Sequence, residues 1–267
     1  MRIAIEHRTQ YRFSQAQDRI VQMLRLTPTD TQDQTVVSWR IGVDCDARLR
    51  EAIDGFGNAV TMLYAEGPIA ALELSVIGEV LTSENAGVIC GAAEPLPPLF
   101  YLRSTPRTQA SVTLAEFAAD VAAGEALDGL HRLNAALHGR FPDAPDLPDR
   151  GCAAAQAFAA KTVTSRDVAQ IFIAGARHLG APARYVSGYR TDGEAHSAPH
   201  AWAEAYVEAL GWIGFDPATG LSPDESYVRV AVGLDATGAA PIAGTRVGHG
   251  REQLDVDLHV DRLGGEE

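Results

Sequence analysis

The chain has 267 residues, 46% hydrophobic and 21% charged, the balance of a folded globular protein with room for two domains. A formal net charge of −13 excludes the basic surface that nucleic acid requires and works against binding to anionic membranes. MRIAIEHRTQYRF alternates polar and apolar residues instead of forming a signal-peptide core, and no later window holds 18 uninterrupted apolar residues, so a cytoplasmic protein is expected.

From residue 1 to about 82, the runs RIAIEHRTQYRF, VVSWRIGVD, AVTMLYAEG and ALELSVIGEVLT alternate in character and are divided by turn residues, among them DGFGN at Asp54 to Asn58. They predict an antiparallel, β-sandwich-like domain over residues 1–90. Residues 91–107, GAAEPLPPLFYLRSTPR, are rich in proline and predict a linker. A second domain is expected over residues 108–267. It opens with amphipathic helices at LAEFAADVAA and LDGLHRLNAALHGRF, the second stopped by the breaker run PDAPDLPDRG, and an alanine-rich helix at CAAAQAFAAK.

Val168, Ile171, Phe172, Gly175 and Leu179 mark one face of a buried helix beginning at Ser165 and ending at Gly180, with Pro182 just beyond. ARYVSGY, HAWAEAYV and GWIGFDP follow as strands, and Tyr227 to Val260 predicts two or three more. One central helix on an antiparallel sheet makes the fold class α+β.

Candidate chemistry gathers around that helix. Thr164 and Asp167 have capping-box spacing, and Ser165 beside them could itself satisfy a free backbone N–H or act as a nucleophile. In HAWAEAYV, His200, Trp202, Glu204 and Tyr206 share one face while Ala201, Ala203, Ala205 and Val207 form a small face suited to a helix. A hairpin register placing residue 202 opposite 216 would set Asp216 diagonal to His200 on one face; a slip of one residue would separate them. Nucleophile at a helix start, imidazole base and orienting carboxylate is the order of parts that acyl-transfer chemistry uses. The bland alternatives are a strand histidine with a satisfied ring and a turn-forming Asp before Pro217.

His196 and His200 lie four apart, with Asp192 and Glu194 nearby, but Pro199 and the turn residues of TDGEAHSAP prevent a shared helical face, so no metal is expected and no cofactor either. The three cysteines, Cys45, Cys90 and Cys152, have no CxxC spacing. Cys45 and Cys90 are read as incidental thiols. Cys152 is placed near the start of the preceding helix as a packing residue, away from the Ser165 terminus.

SRDVAQIFIAGARHLGAPARYVSGY followed by PHAWAEAYVEALGWIGFDPATG resembles the core of the bacterial transglutaminase-like family, whose pattern runs Cys-[RQ]-D-x-A-H at a helix start, then ARYVSGY, HAW and GFDPT. HRTQYRF, LRLTPTDTQ, SWRI, DGFGNAV, EGP and PPLFYLRST resemble the family's β-rich N-terminal region and linker, and YVRVAVGLDATGAAPIAGTRVGHG its closing strands. The resemblance implies a papain-like core with a Cys–His–Asp triad acting on peptide or protein amide bonds. By position, Ser165 stands where the family has its cysteine, His200 at the base and Asp216 at the carboxylate. Val163 and Gln170 also depart from the family's glycine and histidine, which points to natural divergence. A thiol near pKa 8.5 can become a thiolate at a helix terminus, whereas a serine hydroxyl needs concerted proton removal. Two functions are therefore expected to compete: a Ser-His-Asp acyltransferase or hydrolase, and an inactive relative that binds a peptide or protein partner in the retained groove.

Overall fold

The computed structural model describes residues 1–141, 151–191 and 199–264. The run 142–150 and the residues Asp192, Glu194 and His196 lie outside the described residues. The fold is α+β, as the order of elements predicts.

The first sheet is built on two long strands, β1 (Arg2–Leu24) and β4 (Ala59–Thr82), with β2 (Gln34–Val43) and β3 (Ala47–Ile53) paired antiparallel to β4. Alternation sets the faces: Ile3, Ile5, His7, Thr9 and Tyr11 are buried while Arg2, Glu6, Arg8 and Arg12 are exposed. The runs AVTMLYAEG and ALELSVIGEVLT, expected as two strands, are one continuous strand. The β1–β4 register shifts between Arg12 and Arg19. Residues from both sides of that irregularity, Tyr11 and Ile20 on β1 and Leu63 and Leu74 on β4, then share a single core. A curled sheet of this kind encloses apolar volume much as a sandwich does.

Residues 91–107 are largely exposed but anchored through Tyr101. They include a short 3-10 helix, Pro98–Leu102, that buries Tyr101 completely beside Trp212. The helical layer follows: α1 (Val112–Val121), α2 (Ala126–Arg140), α3 (Ala154–Phe158) and α4 (Ser165–His178). The Ser111 hydroxyl caps α1 by accepting the Leu114 N–H. Helix α4 is buried on all sides from Asp167 to Arg177, not only along the apolar stripe, because α1, α2 and α3 cover the faces the sheet does not. Leu179, expected in the stripe, is instead 38% exposed at the C-terminal end, just before Gly180 adopts φ +86° to end the helix.

The second sheet has the order β5-β8-β7-β6-β9, from β5 (Val88–Ile89), β6 (Ala183–Arg190), β7 (His200–Val207), β8 (Gly211–Phe215) and β9 (Tyr227–Gly233). Ala201, Ala203, Ala205 and Val207 join the α4 residues in the largest core, so the small face of β7 receives the helix as its alternation predicts. The last two strands, β10 (Ile242–Val247) and β11 (Glu252–Leu263), return to pair with β1 in the first sheet. Ile3, Ile5 and Val80 of that sheet pack against Tyr189, Val228 and Val230 of the second. The Asn58 side chain exchanges two 2.8 Å hydrogen bonds with the Val232 backbone, joining the Asp54–Asn58 turn to β9.

Candidate active site

The geometry of the site begins with the β7–β8 hairpin. Its pairing, Ala203 with Phe215 and Val207 with Gly211, is the register that puts residue 202 opposite 216 one step further along. Trp202 packs on the face away from the helix, with Val186, Tyr227 and Val232, and His200 shares that face. Gly188 makes room for this arrangement, because a Cβ there would lie 2.6 Å from the Trp202 ring. The glycine of ARYVSGY thus has a steric reason.

His200 Nε2 and Asp216 Oδ2 are 2.7 Å apart, with the imidazole 17% exposed and the carboxylate fully buried. Asp216 Oδ1 accepts the Ala218 N–H at 2.9 Å, and Oδ2 also accepts the Tyr227 hydroxyl at 2.7 Å. Burial alone would favour the protonated acid, yet the His200 charge and the bonds from His200, Tyr227 and Ala218 hold the Asp216 carboxyl below the usual carboxylate range. Tyr227 responds oppositely: burial and the adjacent Asp216 charge push its phenol well above the ordinary value. With Nε2 facing the carboxylate, Nδ1 is the ring nitrogen left for a nucleophile.

The loop carrying Asp216 is held from α2. Asn134 Nδ2 donates to Leu221 O at 3.2 Å, and His138 Nδ1 lies 2.9 Å from Ala218 O. These contacts fix the short segment between β8 and β9 on which the carboxylate sits.

Ser165 is the first residue of α4, partly buried. Its neighbours perform the capping. Thr164 Oγ1 accepts the Asp167 N–H at 3.2 Å, and Asp167 Oδ2 accepts the Thr164 N–H at 3.2 Å and its hydroxyl at 3.0 Å. Ser165 therefore has no part in the capping box, and its N–H lies in the turn where helix geometry supplies no acceptor. Helix α4 packs against β7, but among the described residues no hydrogen bond joins the Ser165 hydroxyl to His200. The structure thus brings His200 and Asp216 into direct contact and leaves Ser165 at the start of α4, outside that contact.

Cys152 is partly buried against the helical core just before α3, and its carbonyl accepts Gln170 Nε2 at 3.2 Å. Gln170 also accepts the Ala236 N–H at 3.4 Å, so it ties two loops to the middle of α4. Cys45 is partly buried and Cys90 exposed. Among the described residues, no group of three or more His, Cys, Asp or Glu side chains is arranged to hold a metal.

Two features escaped the sequence reading. One is Tyr227, which packs edge-on against both His200 and Trp202 at ring-centroid distances of 5.8 and 5.4 Å. The other is a buried charge cluster on the same face of β7. Glu204 accepts Arg184 at 2.6 Å and Arg229 at 2.7 Å, and Arg184 also reaches Glu94 at 2.6 Å while lying 3.8 Å over the Trp212 ring. Burial opposes ionisation of Glu204, but the two arginines overcome it and bring the carboxyl to about 2. The available signal was a glutamate in the middle of an otherwise apolar strand, since a charge there needs a partner.

This arrangement, a buried helix packed on an antiparallel sheet that carries a histidine–carboxylate pair, is that of a transglutaminase-like core. The chain carries two such matches: residues 3–81 match the bacterial transglutaminase-like N-terminal region, and residues 115–217 match the transglutaminase-like superfamily. The second match contains Ser165, His200 and Asp216. The chain is 26% identical to the uncharacterized protein ML0607 of Mycobacterium leprae, covering 98% of this chain and 99% of the relative. It is 25% identical to the uncharacterized protein Rv2569c of Mycobacterium tuberculosis, covering 97% and 92%. The crystal structure of a "Putative Cysteine Protease" from Cytophaga hutchinsonii has the same fold, with a TM-score of 0.78 at 19% identity, covering 100% of this chain and 92% of that one. No described helix is long and apolar enough to cross a membrane.

Proposed function

We propose that this protein acts on peptide or protein amide bonds, by acyl transfer or hydrolysis, with Ser165 as nucleophile, His200 as base and Asp216 as orienting carboxylate. The observation that carries this reading is the 2.7 Å His200 Nε2–Asp216 Oδ2 contact, which leaves Nδ1 to serve the nucleophile. In the first step His200 Nδ1 takes the Ser165 Oγ proton as Oγ bonds to the substrate carbonyl carbon. The carbonyl electron pair moves to oxygen, where N–H groups of the first turn of α4 stabilise it. Collapse breaks the C–N bond, and the amine leaves with the proton held on His200. Water or a second amine then attacks the ester, passing its proton through His200 and restoring the Ser165 hydroxyl.

A second reading has its own support. Serine stands where the family has cysteine, and among the described residues its hydroxyl makes no hydrogen bond to His200, both of which favour a protein that binds a peptide or protein partner in the groove without cleaving it. A serine-directed fluorophosphonate probe separates the two. Labelling at Ser165, located by mass spectrometry and lost in Ser165→Ala and His200→Ala, is the expected result. No labelling of the native protein, with thiol reactivity appearing in Ser165→Cys, would replace the catalytic reading with the binding one.

A further inference from the structure

Asp216 has more donors than an orienting carboxylate with a single histidine partner requires. A carboxylate turns easily about its terminal torsion, so one backbone donor and one imidazole leave its plane loosely determined. Here a third donor arrives from another strand: the Tyr227 hydroxyl reaches Oδ2, the same oxygen that faces His200 Nε2, with both distances 2.7 Å. An ionised carboxylate only accepts, so both groups must donate, and the imidazole proton is required on Nε2.

We propose that Tyr227 is a positioning residue of this site: its hydroxyl pins Asp216 Oδ2 against His200 Nε2 and so fixes the imidazole tautomer that presents Nδ1 to residue 165. Its catalytic meaning rests on the reading of His200 as the base, although the tautomer itself does not. Tyr227 is the first residue of β9, paired in register with Arg190 of β6, whose guanidinium lies 5.8 Å from the phenol ring. The ring is 8% exposed and packed edge-on to Trp202, so it cannot swing its hydroxyl elsewhere without breaking that contact. The ring and the hydroxyl therefore have separable roles: the ring fills space beside Trp202, and the hydroxyl acts on Asp216.

The test uses full-length protein labelled with 15N-histidine. Long-range 1H–15N correlation at alkaline pH gives the ratio of the two neutral tautomers, with His200 assigned through His200→Gln. In Tyr227→Phe the minor Nδ1–H form should rise about fivefold, the factor that corresponds to about 1 kcal/mol for one hydrogen bond. Tyr227→Leu removes the ring as well. It should lower the melting temperature further while changing the tautomer ratio no more than Tyr227→Phe does, because the hydroxyl is already gone. An unchanged ratio in Tyr227→Phe would overturn the proposal, as would a shift in Tyr227→Leu alone. The measurement needs no turnover, so an inert Ser165 leaves it intact, and an active enzyme whose tautomer ignores Tyr227 would defeat this inference without touching the proposed function.

Discussion

The two sides of the candidate site are built by different means. On the sheet side, Asp216 receives His200, Tyr227 and the Ala218 N–H, and each of these is set by strand register or a tight turn. On the helix side, Thr164 and Asp167 hold the α4 terminus and leave the Ser165 hydroxyl outside their capping box. The contrast teaches where chemistry can change cheaply. A helix tip held by its neighbours tolerates oxygen or sulfur at one partly buried position, whereas a carboxylate with three donors admits little change without leaving a buried group unpaired. Exchanging Ser165 for cysteine should therefore alter reactivity while leaving the Thr164–Asp167 capping box in place.

The strongest way to break this comparison is to disturb the sheet side. Asp216→Asn should reduce the rate of probe labelling at residue 165 about ten-thousand-fold, the scale set by the same change in a Ser–His–Asp triad elsewhere. Labelling within about tenfold of native would remove Asp216 from the orienting role. Next comes Glu204→Leu, which leaves the partly buried Arg229 without its carboxylate partner and the buried Arg184 with only Glu94. It should cost about 3–5 kcal/mol in urea unfolding, as breaking a buried pair does. A neutral outcome would mean that solvent reaches the cluster on demand.

Acid should reveal the same side more gently. Glu204 and Asp216 both have folded values depressed below their ordinary ones, so each contributes stability that is present above the ordinary carboxylate range and lost as pH falls towards the folded value, about 2 for Glu204. The urea midpoint should fall between about pH 5 and pH 3, and Glu204→Gln should flatten that fall. The smallest effect separates the two halves of the helix tip. Thr164→Ala should lose about 1 kcal/mol of stability as a lost cap, while Ser165→Ala should stay within about 0.5 kcal/mol of native. Equal losses in thermal unfolding would make Ser165 a structural cap after all.

Much of this was legible because it is local. The alternation in HAWAEAYV and the short EALG connection left few registers, one of which puts His200 and Asp216 on one face, and the structure adopts that one. The α4 boundaries followed from the Thr164–Asp167 spacing and Gly180 for the same reason. What stayed hidden depends on partners distant in sequence. ARLREAI, now β3, carries little apolar alternation because it is an edge strand exposed along most of its length. The proline-rich stretch from residue 91 was read from composition, which does not show that Tyr101 is buried or that Glu94 pairs with Arg184, both being tertiary contacts. Tyr227 was visible only as the start of YVRVAV, and nothing local ties its hydroxyl to a carboxylate in the preceding turn.

The return of β10 and β11 to β1 has a consequence for how the molecule is made. Arg2 lies opposite Leu263, so β1 waits for β11, far later in the chain, before its outer edge is covered. Until then β1 has a bare row of amides and carbonyls open to any neighbouring chain. Translation must reach β11 before that seam can close.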